Sequence, residues 1–219
     1  MNAPTPASFR RHYQALVTAG TIEADPAQAQ AVEAYTALEA RLVRYRPGRG
    51  GLLQRLFADK DATAPRGLYV YGEVGRGKTM LMDLFFEAVT QKDKRRVHFH
   101  DFMLETHAFI FEWRKLSQAE KRKHPAHVRD AGDDPIAPAA KHIADKASLL
   151  CFDEFHVNQI ADAMILGRLF EQLLDRGVTV VATSNRKPSD LYTNGINRQL
   201  FLPFIKRLEE ELDVIELKS

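Results

Sequence analysis

The sequence predicts an α/β fold built on a doubly wound, mostly parallel sheet. Three observations predict it. Short apolar runs rich in β-branched and aromatic residues alternate with longer segments of helical periodicity. A glycine-rich octapeptide, Gly72-Glu73-Val74-Gly75-Arg76-Gly77-Lys78-Thr79, lies between one such run and a helix-forming stretch. A second run, Leu149-Leu150-Cys151-Phe152, ends in the acids Asp153-Glu154.

The elements follow in chain order. Met1 to Ser8 is rich in Pro and Ala and reads as a frayed start. From about 9 to 45 the pattern is helical, with Tyr13, Leu16 and Val17 on one face. Asp25-Pro26 opens a second helix, because Asp caps a helix and Pro fits its first turn. Val32, Tyr35, Leu38 and Leu42 then recur at helical spacing. The run 46–51 breaks the helix, 52–57 is expected to add another turn, and Asp59 to Pro65 reads as a polar loop. The organisation expected is an N-terminal helical segment over 1–62 and an α/β core over 63–219.

Within the core, Gly67 to Tyr71 reads as the first strand and Met80 to Val89 as the helix after the octapeptide. Arg96 to His100 reads as a second strand, followed by a long helix from Phe102 to Lys121. A helix near 136–145 precedes the strand that ends at Asp153. Ile160 to Leu174 is an amphipathic helix stopped by Arg176-Gly177. Val178 to Thr183 is the fourth strand, Ile196 to Glu210 a helix, and Val214 to Leu217 the last strand.

The octapeptide fits the phosphate-binding pattern G-x-x-x-x-G-K-[ST] without a mismatch. Backbone N–H groups in such a loop curl around nucleotide phosphates, and the following helix adds the partial positive charge of its N-terminus. The expected nucleotide-binding stretch is Gly72, Glu73, Val74, Gly75, Arg76, Gly77, Lys78, Thr79 and Met80. Lys78 reaches the β- and γ-phosphates, and Thr79 offers its hydroxyl to Mg²⁺. In an open α/β sheet ligands bind at the carboxyl ends of the strands. Asp153 is therefore expected beside the loop as the second metal residue, through water. Glu154 is placed to polarise an attacking water, which suits a hydrolase better than a kinase. Asn185, just past the fourth strand, is a candidate contact to the γ-phosphate or that water, although Ser-Asn is also ordinary turn chemistry.

Composition bounds the rest. The 219 residues are 45% hydrophobic and 27% charged, as in a globular protein with one substantial domain. A net charge of +2 gives no strong electrostatic case for nucleic acid or an anionic membrane. The basic run Lys121-Arg122-Lys123-His124 reads as solvated surface. No apolar run approaches membrane-spanning length. The single cysteine, Cys151, falls inside a buried strand and reads as a core thiol in a reducing compartment. His98 and His100 would share a strand face, but no cysteine or suitably spaced carboxylate completes a zinc site, so packed or hydrogen-bonded histidines are expected.

Further motifs narrow the reading. His98-Phe99-His100-Asp101-Phe102-Met103, Cys151-Phe152-Asp153-Glu154-Phe155, Ile160-Ala161-Asp162-Ala163-Met164, Ala182-Thr183-Ser184-Asn185 and Asn194-Gly195-Ile196-Asn197-Arg198 follow the phosphate loop in order. Together they resemble the ZapE cell-division ATPases, AAA+ proteins with mitochondrial relatives, over nearly the whole chain. The resemblance implies a P-loop NTPase core with sheet order 5-1-4-3-2. It implies Mg²⁺-dependent ATP hydrolysis coupled to remodelling of a protein partner, with FtsZ as the candidate partner in a bacterial cytoplasm and recruitment to the division site. It also implies that Asn185 acts as a γ-phosphate sensor, that Arg198 is an arginine finger offered to a neighbouring subunit, and that the active state is a homo-oligomer. An AAA+ module carries a small helical lid after its fifth strand. None follows Ser219 here, so a core without its lid is expected. Three other readings stay open: a small-molecule kinase, a nucleotide-binding switch or scaffold with little hydrolysis, and a nucleic-acid-dependent ATPase of the helicase-loader type.

Overall fold

The central strands are made of residues that tolerate burial on both faces, and the edge strands are not. The computed structural model describes residues 8–45, 64–129 and 131–218. Its five parallel strands are β1 (Gly67–Gly72), β2 (Lys94–His98), β3 (Leu149–Asp153), β4 (Thr179–Ser184) and β5 (Leu212–Leu217). They lie in the order β2-β3-β4-β1-β5, which is the order expected, read from the other edge. Every residue of β3 and β4 is buried. The edges, Lys-Arg-Arg-Val-His in β2 and Leu-Asp-Val-Ile-Glu-Leu in β5, carry charges that blunt pairing with another chain.

Period-two alternation divides the sheet into two faces. Tyr69, Leu150, Phe152, Val180 and Ala182 point into one core. That face is covered by α4 (Phe99–Lys115), α6 (Ile136–Ala144), α7 (Ile160–Asp175) and α8 (Leu202–Glu211). Leu68, Val70, Leu149, Cys151 and Val181 point into the other. There the cover is α1 (Phe9–Thr18), α2 (Ala29–Arg44) and α3 (Lys78–Ala88). The Cys151 thiol is fully buried, and burial pushes its pKa up to about 12, which makes it the inert core thiol expected. The N-terminal helices pack directly on the core: Tyr35 sits 5.0 Å from the Phe85 ring and Phe9 lies 5.3 Å from Tyr35.

The structure corrects several boundaries. β2 ends at His98 and α4 begins at Phe99, so His100 is helical, the two histidines do not share a strand face, and both are exposed rather than packed. The long helix stops at Lys115. Ser117 then caps a separate helix, α5 (Gln118–Lys123), by accepting from the Glu120 backbone while Glu120 reaches back to the Ser117 backbone. This local capping box outcompetes continuation of the helical pattern. The helix expected from Ile196 begins only at Leu202. Asn197 is left-handed (φ 57°), and Arg198–Leu200 form a 3₁₀ turn before Pro203 enters the first turn of α8. Asp25 accepts from the Ala27 N–H at 2.8 Å, but it caps the 3₁₀ turn Pro26–Gln28 that leads into α2. The expected break at 46–51, turn at 52–57 and loop portion 59–63 lie outside the described residues. Among the described residues no helix is long and apolar enough to cross a membrane.

Candidate functional site

Parallel register brings the carboxyl ends of the central strands level. Tyr71 of β1 stands beside Ser184 of β4, Phe152 of β3 beside Ala182, and His98 of β2 beside Asp153. The phosphate loop leaves β1 at this level and delivers the chain to α3. Gly75 (φ 84°) and Gly77 (φ 81°) are both left-handed, a conformation that a Cβ would strain. A cleft of about 510 Å³ opens above, lined by the loop, Thr79, Asp83, Glu154, Thr183 and Asn185.

Lys78 is buried to 8% exposure, and its ammonium curls back to donate to the carbonyls of Gly72 (2.8 Å) and Glu73 (2.7 Å). Burial lowers its pKa, and the nearby Asp153 works in the opposite direction. Glu73 and Arg76 point side chains at each other, 3.5 Å apart, and Val74 is 80% exposed at the loop tip. From these residues the cleft gains backbone and Lys78 chemistry, not carboxylate or guanidinium chemistry.

Asp153 is the best-connected side chain here. Its Oδ1 accepts from the hydroxyls of Thr79 (3.2 Å) and Thr183 (2.8 Å), and its Oδ2 accepts from Arg96 (2.6 Å). The same guanidinium pairs with Asp83 of α3 at 2.8 Å. Burial raises the pKa of Asp83, and Arg96 opposes the rise. Thr79 spends its proton on Asp153 and keeps its lone pairs free. A hard oxygen donor beside an ionised carboxylate fits a divalent cation of the Mg²⁺ type, whose other ligands would be phosphate and water oxygens. Beyond Asp153 the chain turns sharply: Glu154 is left-handed (φ 53°), and the Phe155 N–H rejoins the Thr183 carbonyl at 2.7 Å. The kink leaves the Glu154 side chain exposed at the mouth of the cleft.

The AFG1-like ATPase family profile matches residues 7–219. The chain belongs to the AFG1-like ATPase family. It is 36% identical over 228 residues to cell division protein ZapE of Escherichia coli (strain K12), covering all of this chain and 56% of that protein. It is 50% identical over 155 residues to lactation elevated protein 1 homolog B of Danio rerio, covering 71% of this chain and 30% of that one. An uncharacterized Schizosaccharomyces pombe protein is 37% identical, covering 94% and 49%. The chain thus spans about half the length, or less, of these curated relatives. Among solved structures, DnaI superposes with a TM-score of 0.57 at 15% identity, covering 90% of this chain and 88% of that one. Domain III of Thermotoga maritima DnaA gives 0.53 at 19%, covering 90% and 65%. These likenesses establish the AAA+ P-loop fold.

In this AFG1-like fold the sequence-predicted residues are not all together. Lys78, Thr79, Glu154 and Asn185 line one cleft, and the buried Asp153 joins it through its hydrogen bond with Thr79. Met80 lines its floor from the first turn of α3. Arg198 does not line the cleft; it lies on the 3₁₀ turn before α8 and donates to the Ser189 carbonyl at 2.7 Å.

Besides Asp83, the α3 carboxylate that pairs with Arg96, three further residues escaped sequence reasoning. Thr183 carries a weak signal, a hydroxyl at a strand end beside the motif acid. Arg96 carries none, being one of two adjacent arginines on an edge strand. Gln28 comes from the N-terminal segment: its Nε2 donates to the Arg76 carbonyl at 3.1 Å, and its Oε1 accepts from Tyr13 at 3.3 Å. A Cβ built on Gly77 would stand 2.7 Å from that Nε2, the movable end of a flexible side chain, so it is the left-handed φ of 81° that calls for glycine there.

Proposed function

We propose that the chain binds Mg-ATP in the cleft above the strand ends and hydrolyses it. One observation carries the reading: Lys78, the Thr79 hydroxyl, Asp153 and Glu154 meet at the mouth of a glycine-rich loop that opens a helix. Lys78 leaves the Gly72 and Glu73 carbonyls for the phosphate oxygens, exchanging neutral acceptors for charged ones. Thr79 and Asp153 would hold the metal, which supplies charge neutralisation at the phosphates when bound. Glu154 accepts a proton from the attacking water, and Asn185 orients the γ-phosphate or that water. No covalent intermediate is involved.

Arg198 serves a neighbouring copy. It lies away from its own cleft and beside Ile196, Leu200 and Leu202, large apolar side chains that are 69%, 64% and 44% exposed. Such a patch suits a surface covered by another subunit. The name of the Escherichia coli relative points to cell division, and on that footing the cycle remodels a protein partner, with FtsZ the candidate in a bacterial cytoplasm. The test is steady-state Mg-ATP hydrolysis per subunit across a wide protein concentration range, with Lys78→Ala as the blank. Specific activity that climbs with concentration supports an assembling ATPase. Activity at the blank's level throughout rejects hydrolysis by this chain.

A further inference from the structure

Asp153 needs a counter-charge whether or not a metal is bound. Its side chain is only 5% exposed, and an ionised carboxylate at that depth is costly without a compensating cation. Thr79 and Thr183 supply hydrogen bonds but no charge. Lys78 spends its ammonium on loop carbonyls. The cation in direct contact is Arg96, with Nη2 at 2.6 Å from Asp153 Oδ2 and 2.8 Å from Asp83 Oδ1. The guanidinium is thus suspended between a carboxylate of the metal site and a second carboxylate that is 42% exposed on α3.

We propose that Arg96 is the resident counter-cation of the divalent-metal site: it balances Asp153 when no metal is bound, shares that carboxylate with an incoming ion, and is held off the ion by Asp83. The inference rests on the reading of the cleft as a Mg-nucleotide site. Arg96 is a positioning residue, because its partners are carboxylates and not nucleotide or water. Its charge and that of the metal repel, so the Arg96–Asp83 pair sets the affinity for the divalent ion. Removing the arginine charge tightens metal binding. Removing the Asp83 charge turns the guanidinium wholly onto Asp153 and weakens it. A residue that served only to support the fold would not give opposite signs in the two variants.

The experiment titrates Mg²⁺ against a fluorescent ADP analogue bound to the full chain, with thermal melting in chelator as a second readout. For Arg96→Gln the half-saturating Mg²⁺ falls about tenfold, the scale of one unit charge near a partly buried site. Its metal-free melting temperature falls while Mg²⁺ with ADP restores most of the loss. For Asp83→Asn the half-saturating Mg²⁺ rises several-fold. Arg96→Lys, which keeps the charge, stays near wild type in Mg²⁺ dependence. Unchanged or weaker Mg²⁺ dependence in a folded Arg96→Gln overturns the proposal, as do shifts of the same sign in the two charge-removing variants. If Arg96→Gln does not fold, Asp83→Asn decides alone, and unchanged or tighter Mg²⁺ dependence there overturns it. A wild-type chain that binds the ADP analogue with no Mg²⁺ dependence rejects the metal-site reading itself, and the proposal with it. Mg²⁺ dependence in the wild type with the wrong signs in the variants rejects the proposal alone.

Discussion

Two clefts of about 510 Å³ each differ in how their polar groups are held. One lies above the phosphate loop, where strand ends and a helix N-terminus converge. Its polar groups are already engaged: Lys78 with loop carbonyls, Thr79, Thr183 and Arg96 with Asp153. The other lies between α7 and α8 and exposes Ile160, Met164, Ile196 and Leu200. The first is held in shape by charges and hydrogen bonds before any ligand arrives. The second is a surface groove where exposed apolar side chains stand beside solvent-exposed ion pairs, Lys206 with Glu210 at 3.6 Å and Arg207 with Glu211 at 3.0 Å. Volume does not separate the candidate nucleotide site from a surface groove; the connectivity of buried polar groups does.

The sharpest test of that contrast uses the arginine that lies outside the phosphate cleft. Arg198→Ala is expected to lower hydrolysis by roughly 10³-fold or more at concentrations where the wild type is assembled, with nucleotide affinity unchanged. A loss of nucleotide affinity in the isolated subunit would instead place Arg198 in its own cleft. Next comes Glu154→Gln, which keeps shape and removes the base. Hydrolysis should fall about 10²–10⁴-fold while the ADP analogue binds as before. Wild-type turnover in this variant would reduce Glu154 to a residue of the strand-end turn.

Smaller effects probe the network itself. Thr183→Val removes one hydroxyl from the buried Asp153 and should cost about 1–3 kcal/mol in chemical denaturation. A neutral result would mean that Thr79 and Arg96 suffice. Gln28→Ala cuts the tie between the N-terminal segment and the Arg76 carbonyl. About 1 kcal/mol of stability and a few-fold in nucleotide affinity are expected to go. In the apolar groove, Met164→Gln should stay within about 0.5 kcal/mol of wild type and leave nucleotide affinity alone, since its side chain is 58% exposed. A large destabilisation there would show that Met164 packs into the groove despite its exposure.

The comparison also separates what was legible from what was not. The glycine-rich loop between β1 and α3 and the strand ending at Asp153-Glu154 were readable because their signals are local: each lies in a few consecutive residues at the junction of two elements. The alternating strands and helices were readable for the same reason, and so was the core role of Cys151. The errors fell where one local signal overrode another. Ser117 capped a new helix inside what read as one, and the left-handed Asn197 with its 3₁₀ turn delayed α8. Arg96, Asp83 and Gln28 were invisible for a different reason. Gln28 and Arg76 are 48 residues apart, and Arg96 and Asp153 are 57 apart. No spacing rule along the chain announces such pairs.

By itself, the sequence determined the fold class, the phosphate loop and the carboxylate pair, because backbone conformation and period-two or helical burial are dictated by neighbouring residues. Only the tertiary structure decided what completes the site. Strand register set β2 beside β3 and so brought Arg96 to Asp153, and packing of the N-terminal segment on α3 brought Gln28 to the loop. The physical reason is that a buried charge takes whichever counter-charge the register supplies, and register is a property of the assembled sheet rather than of any one strand.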